Sequence, residues 1–184
     1  MEVSSLLRDH PEIDVNWTNE YQLTALHAAS SNGQAEVVKL LLGHPNINVN
    51  VTDISGHTPL SFGCQNGGVS VVEVLLKDPR VDVTLEDDWG GTPLWYASWY
   101  GEGEVIEWLV ASGRDLGDVE HKKGKWFGHM YTALEIAKER KRTEVVALLE
   151  RFFHNSSQTR QEVRQKHRVT GTTATLLSFV HDIW

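Results

Sequence analysis

Nine histidines, one cysteine and 25 acidic side chains are what this 184-residue chain offers for proton transfer or metal binding. Their spacing argues against both. A metal site needs three or four such ligands brought together, and here the histidines are scattered. His10 and His44 stand 34 residues apart in the same local context, each directly before a proline, which marks them as parts of a repeating structural unit. His121, His129 and His154 share no ligand spacing. Cys64 lies on an apolar stretch beside Phe62, with no cationic neighbour to stabilise a thiolate, and reads as a small buried side chain. No nucleophile elbow, phosphate-cradling glycine loop or His-Glu-x-x-His helix occurs. Gly101-Glu102-Gly103-Glu104 has part of a glycine-loop spacing, but its carboxylates would repel a phosphate. The expectation is no enzyme, no metal and no cofactor.

The chemistry left unexplained is aromatic and cationic. The stretch His121–Tyr131 carries Lys122, Lys123 and Lys125 beside Trp126 and Phe127, and no acidic residue. Its glycines, Gly124 and Gly128, suggest a finger that bends. An acidic segment, Glu86-Asp87-Asp88, is expected opposite it. Such a finger suits the grip of an acidic peptide, with Trp126 or Phe127 as anchor. The competing reading keeps the lysines for solubility and tucks both rings onto the protein.

The elements that must carry these residues recur at a fixed interval. Pro11-Glu12-Ile13-Asp14-Val15-Asn16, Pro45-Asn46-Ile47-Asn48-Val49-Asn50 and Pro79-Arg80-Val81-Asp82-Val83-Thr84 step by 34 residues. Thr24-Ala25-Leu26, Thr58-Pro59-Leu60 and Thr92-Pro93-Leu94 keep the same step, and Thr132-Ala133-Leu134 arrives six residues late. Repetition at this period means stacked modules rather than one globular core. In the second module, Asp53-Ile54-Ser55-Gly56 is a turn. Thr58 is a helix N-cap with Pro59 at the first helical position. Asn66-Gly67-Gly68 ends that helix. Val71, Val72, Val74, Leu75 and Leu76 give the stripe of a second one. Val81 and Val83 alternate with polar residues in an extended return. Neither helix buries its apolar face alone, and stacking supplies the partner.

These features resemble the ankyrin repeat family. The matching stretches are Asp53-x-x-Gly56-x-Thr58-Pro59-Leu60, Asp87-x-x-Gly90-x-Thr92-Pro93-Leu94, Gly33-Gln34-Ala35-Glu36-Val37-Val38-Lys39-Leu40-Leu41-Leu42 and Glu104-Val105-Ile106-Glu107-Trp108-Leu109-Val110, and the likeness runs over about residues 1–153. It implies an all-α solenoid of antiparallel helix pairs with projecting hairpins. Three positions depart from the pattern: Gln22 and Met130 at turn glycines, and Lys141 at an inter-helix glycine. Residues 1–16 are expected to form an N-terminal half-repeat, because Met1–Leu7 overlays Ala35–Leu41. Four repeats follow at about 17–50, 51–83, 84–117 and 118–153. Residues 154–184 form a helical C-terminal cap or tail: Asn155-Ser156-Ser157 offers an N-cap, and a second helix starts at Thr172-Thr173 with Leu176, Leu177, Val180 and Trp184 on one side. The tail covers the open end of the stack or docks into another protein.

The resemblance implies non-enzymatic protein recognition on a concave face of hairpin tips and first helices, with His27 bonding a neighbouring loop. Positions free of stacking duty are then candidate contacts. They include Tyr21 in the first module, Ile54 and His57 in the second, and Asp88, Trp89, Gly91, Trp99 and Tyr100 in the third. Trp95 and Trp108 fall at stacking positions and belong to the core. The expected site is Tyr21, Ile54, His57, Asp88, Trp89, Trp99 and Tyr100, with Lys122, Lys123, Lys125, Trp126 and Phe127 of the finger. The alternative is a structural scaffold segment of a larger array.

The totals agree with a protein or peptide partner. A net charge of −8 opposes nucleic acid and anionic membrane. No apolar run reaches the roughly 20 residues of a membrane span. One cysteine excludes an intrachain disulfide and fits a reducing compartment, the cytoplasm or nucleus. A monomer is expected. The Asn-x-Ser/Thr triplets at Asn16, Asn50 and Asn155 read as chance.

Overall fold

The computed structural model describes the backbone of residues 13–181 and side chains as far as Arg168. The half-repeat expected over Met1–Leu7 lies outside the described residues, as do the side chains of Leu176, Leu177, Val180 and Trp184. Helices come in pairs: α1 (Ala25–Ser31) with α2 (Ala35–Leu42), α3 (Pro59–Gln65) with α4 (Val69–Lys77), α5 (Pro93–Tyr100) with α6 (Gly103–Ala111), and α7 (Ala133–Glu139) with α8 (Thr143–His154). Each first helix begins at a threonine in extended backbone. The hydroxyls of Thr24, Thr58, Thr92 and Thr132 accept the N–H of His27, Ser61, Trp95 and Glu135. Each such cap stabilises its helix by about 1 kcal/mol.

Two departures from the repeat pattern keep its geometry without glycine. Gln22 and Lys141 both take φ 57°, the left-handed conformation that glycine adopts freely at equivalent turns. For a residue with a Cβ this costs roughly 1–2 kcal/mol, a sum the stacking around it offsets.

The pairs stack in two rows. The first helices pack in the order α1, α3, α5, α7, and the second helices in the order α2, α4, α6, α8. Leu26, Leu60, Leu75, Ile106, Leu109 and Leu149 are fully buried between the rows, each worth roughly 1.5–3 kcal/mol of apolar burial. Trp95 is buried as expected. Trp108 is only half-buried, and its ring meets that of His167 at 4.6 Å in a tilted arrangement.

The extended returns are sewn together by asparagine. Asn16 donates to the Asn46 carbonyl at 2.7 Å and accepts from Asn48 N at 2.8 Å. Asn50 repeats both bonds, to Arg80 O and from Asp82 N, at 2.8 Å each. The asparagines of two of the three Asn-x-Ser/Thr triplets therefore bridge neighbouring returns.

The turn tips form a second seam. Ile54 N donates to Tyr21 O at 3.1 Å, Asp88 N to Ser55 O at 3.0 Å, and Lys125 N to Trp89 O at 2.9 Å. The last tip is a true hairpin, β1 (Gly124–Trp126) paired antiparallel with β2 (His129–Tyr131). Phe127 at φ 45° and Gly128 at φ 82° form its two-residue turn, the I′ class that matches strand twist. The expected flexible finger is thus a paired hairpin docked on the stack. Gly124 supplies close approach rather than bending, since a Cβ there would meet the Trp95 ring at 2.6–2.9 Å.

The tail is helical, but as one element, α9 (Ser156–His181), with no break at Thr172-Thr173. Asn155 caps it, accepting from Gln158 N at 3.1 Å. It packs on α6 and α8 rather than over the end of the stack. Val163 is buried there, Arg164 donates to Ala111 O at 2.7 Å, and Lys166 pairs with Glu107 at 2.7 Å. Lys138, Glu139, Glu144 and Glu150 of the last pair are polar and exposed. No helix among the described residues is long and apolar enough to cross a membrane.

Candidate partner-binding groove

The face built by turn tips and first helices carries a groove of about 460 Å³. Phe62 and Gln65 of α3, Tyr96, Trp99 and Tyr100 of α5, and Trp89 of the third turn form its floor and one wall. Lys125, Trp126 and Phe127 of the hairpin form the other. Seven of the twelve expected contact residues line this one space: His57, Trp89, Trp99, Tyr100, Lys125, Trp126 and Phe127. A larger opening of about 720 Å³ lies on the outer-helix side, between α2 and α4, with no aromatic lining.

A polar network sets the floor. Asp87 Oδ1 accepts from Trp89 N and Gly91 N at 2.8 Å each, and Oδ2 accepts from the Tyr96 hydroxyl. His57 Nε2 meets the same hydroxyl at 3.0 Å, while its Nδ1 lies 3.3 Å from both Asp53 oxygens. Because the Tyr96 proton goes to Asp87, its oxygen is left to accept from His57. Burial, reinforced by Asp87, raises the phenol pKa above its ordinary value, so Tyr96 remains a donor.

Three expectations change here. His57 is largely buried, its ring held by Asp53 and Tyr96 and its carbonyl by His27 Nε2 at 3.1 Å, so it supports the groove more than it faces a ligand. Gly91 is not free to vary, since a Cβ would meet Tyr96 at 2.8 Å and Asp87 at 3.0 Å. The acidic segment does stand against the finger, but it is mostly engaged, with Asp88 left exposed. Asp87 is buried, and Glu86 is paired at 2.7 Å with Lys122, which also donates to Thr84 O. Lys122 therefore points away from the groove.

The remaining residues divide by exposure. Trp89 is 48 % exposed, Tyr100 40 % and Phe127 85 %. Trp99 and Trp126 are half-buried. Trp99 meets Trp95 edge-on at 4.7 Å and Trp126 at 5.7 Å, so both rings serve the fold and the groove together. Asp88 and Lys123 are exposed beside the groove, and Tyr21 and Ile54 are exposed on earlier tips; none of the four lines it. Arg140, not anticipated, places its guanidinium over the Trp99 and Trp126 rings at 5.9 and 5.5 Å. The sequence held a signal for it: Arg140 stands 40 residues after Tyr100, the fourth module's own offset.

The histidine and the cysteine are structural. His27 Nδ1 accepts from Thr24 N at 3.1 Å, which leaves the proton on Nε2 for the His57 carbonyl. Burial lowers its pKa. Cys64 is fully buried in α3, and burial alone raises its thiol pKa, the opposite of what a nucleophile needs. Among the described residues, no three His, Cys, Asp or Glu side chains come together to hold a metal ion.

Paired helices stacked in two rows, with turns projecting from one side, define a repeat solenoid. The family model for ankyrin repeats (3 copies) matches residues 2–87 and again residues 48–120. The chain belongs to the ankyrin repeat family. The fourth helix pair lies beyond the match and carries the same threonine cap, here a capping box with Glu135. Among curated proteins, a search finds no match to the chain. Ankyrin repeats are, as a class, protein–protein interaction modules without enzymatic activity.

Proposed function

We propose that this chain recognises a protein or peptide segment in the aromatic groove between α3, α5 and the hairpin, and that it binds without catalysing. One observation carries the reading. Phe127 is held in left-handed backbone and is 85 % exposed. A bulky residue in that conformation is a genuine outlier, and glycine or asparagine would fit this turn better. The exposed ring gains the fold little burial. A residue that costs stability and contributes no core is explained by what it touches outside the chain. Trp89 and Tyr100 face the same space, and clustered aromatic anchors of this kind carry most of an interface's energy. The stacked repeats present them with little ordering left to lose on binding.

The test is Phe127→Gly combined with Trp89→Ala, both exposed, so that folding survives. Partner capture from a lysate of the source cells, with circular dichroism matched to the parent, should fall at least tenfold. Equal capture by both chains would place the contact elsewhere. Trp99→Ala is a poor probe, because Trp99 also braces Trp95 and Trp126.

A further inference from the structure

From the cationic donors left without a partner at this groove we infer that its occupant is an extended peptide segment with an Asp or Glu side chain adjacent to a large apolar one, the carboxylate seating on Arg140 and Lys125. The inference rests on the groove being the binding site. An aromatic slot takes either a cation or an apolar side chain. Here the chain's own guanidinium already lies over the Trp99 and Trp126 rings, so a second cation would meet repulsion there. A guanidinium stacked on rings keeps its in-plane N–H donors for a partner, and their fork matches a carboxylate. Among the described residues no hydrogen bond or ion pair reaches the Arg140 guanidinium or the Lys125 ammonium, and both side chains are exposed.

The two carboxylates of the groove floor already accept hydrogen bonds from the chain. Asp53 Oδ1 accepts from Ser55 N and His57 N at 2.9 and 2.8 Å, and Asp87 accepts from Trp89, Gly91 and Tyr96. The hydrogen-bond donors without a partner at this wall are therefore those of Arg140 and Lys125, although Asp88 stands exposed beside the groove and the chain as a whole carries −8. That total disfavours a polyanion such as nucleic acid, whose attraction is collective. It leaves room for a single carboxylate, which needs only local donors. The apolar neighbour of that carboxylate falls between Trp89, Tyr100 and Phe127.

The probe is a phage library of random dodecapeptides displayed away from the free C-terminus, selected on the full chain. Enriched sequences should combine Asp or Glu with Trp, Phe, Leu or Ile one or two positions away. An amidated synthetic peptide from the pool should lose about tenfold in affinity on Asp→Asn or Glu→Gln exchange. It should lose a similar factor on Arg140→Gln, and part of it on Arg140→Lys, which keeps charge but not the fork. Lys125→Gln is a second variant on another element. Enriched peptides without acidic residues, but sensitive to Phe127→Gly, would overturn the carboxylate inference and keep the groove. Peptides indifferent to Phe127→Gly and Trp89→Ala would overturn both. Tight binding of an oligodeoxythymidylate, lost on Arg140→Gln, would replace the peptide with a nucleic acid.

Discussion

The Trp95 indole donates its Nε1–H to the Tyr131 carbonyl at 2.8 Å, so a core residue of the third repeat holds a strand of the fourth repeat's hairpin. The same ring lies flat enough against β1 that only glycine fits at position 124. The hairpin wall of the groove is thus fastened from below.

Trp95→Phe should separate these two roles. Phenylalanine keeps most of the apolar contact but leaves the Tyr131 carbonyl without its donor. The cost expected is about 1–3 kcal/mol for an unsatisfied, partly buried acceptor. Urea unfolding measures it, and hydrogen exchange at Lys125 should accelerate with it. Unchanged stability would mean that water replaces the indole and the hairpin is held by its other contacts.

Gly91→Ala tests the floor. The added methyl meets Tyr96 and Asp87, so either the ring shifts and the hydroxyl bond to Asp87 lengthens, or the turn moves. Overpacking of this kind costs typically 1–3 kcal/mol. Near-ultraviolet circular dichroism should report the disturbed aromatic cluster together with a lower urea midpoint. Parent-like spectra and midpoint would show that the turn accommodates a side chain.

Much of this architecture was readable from residue order. The threonine caps, Pro59 and Pro93 at first helical positions, and the buried Cys64 follow from local rules that a single sequence states openly. The aromatic residues of one groove were legible because they stood at positions the repeat does not need. What stayed hidden was determined by contacts between modules. Nothing near Asn50 says that its amide bridges Arg80 and Asp82, since the partner lies about one repeat away. Gly91 and Gly124 look like flexible residues until Tyr96 and Trp95 are placed against them. His57 looked free because Tyr96, whose hydroxyl its Nε2 meets, belongs to the next repeat. The tail's course was hidden for the same reason: Glu107 and Trp108, which hold Lys166 and His167, lie about 60 residues earlier.

Asn50→Ala should cost about 1–2 kcal/mol, since it removes both side-chain bonds and leaves the Asp82 N–H and the Arg80 carbonyl to water. Thermal unfolding reads the loss as a lower midpoint. Asn50→Asp keeps the acceptor for Asp82 N but loses the donor to Arg80 O, and should fall between parent and alanine. An alanine variant as stable as the parent would reduce the bridge to a surface contact.

Stability should depend on pH through His27. Burial holds its folded-state pKa below the ordinary 6.5. As pH falls through that value, the unfolded chain takes up a proton that the folded chain refuses. The unfolded state then binds more protons, so stability declines with falling pH and is fully present above about 6.5. Protonation of Nδ1 would also set two donors, Thr24 N–H and the ring N–H, against each other at the α1 cap. Urea midpoints from pH 7.5 to 5.5 should therefore slope downward in the parent. His27→Gln should be less stable at pH 7.5 but flatter across the range. An identical slope in both chains would assign the acid sensitivity to other groups and mean that His27 takes up its proton alike in the folded and unfolded chain.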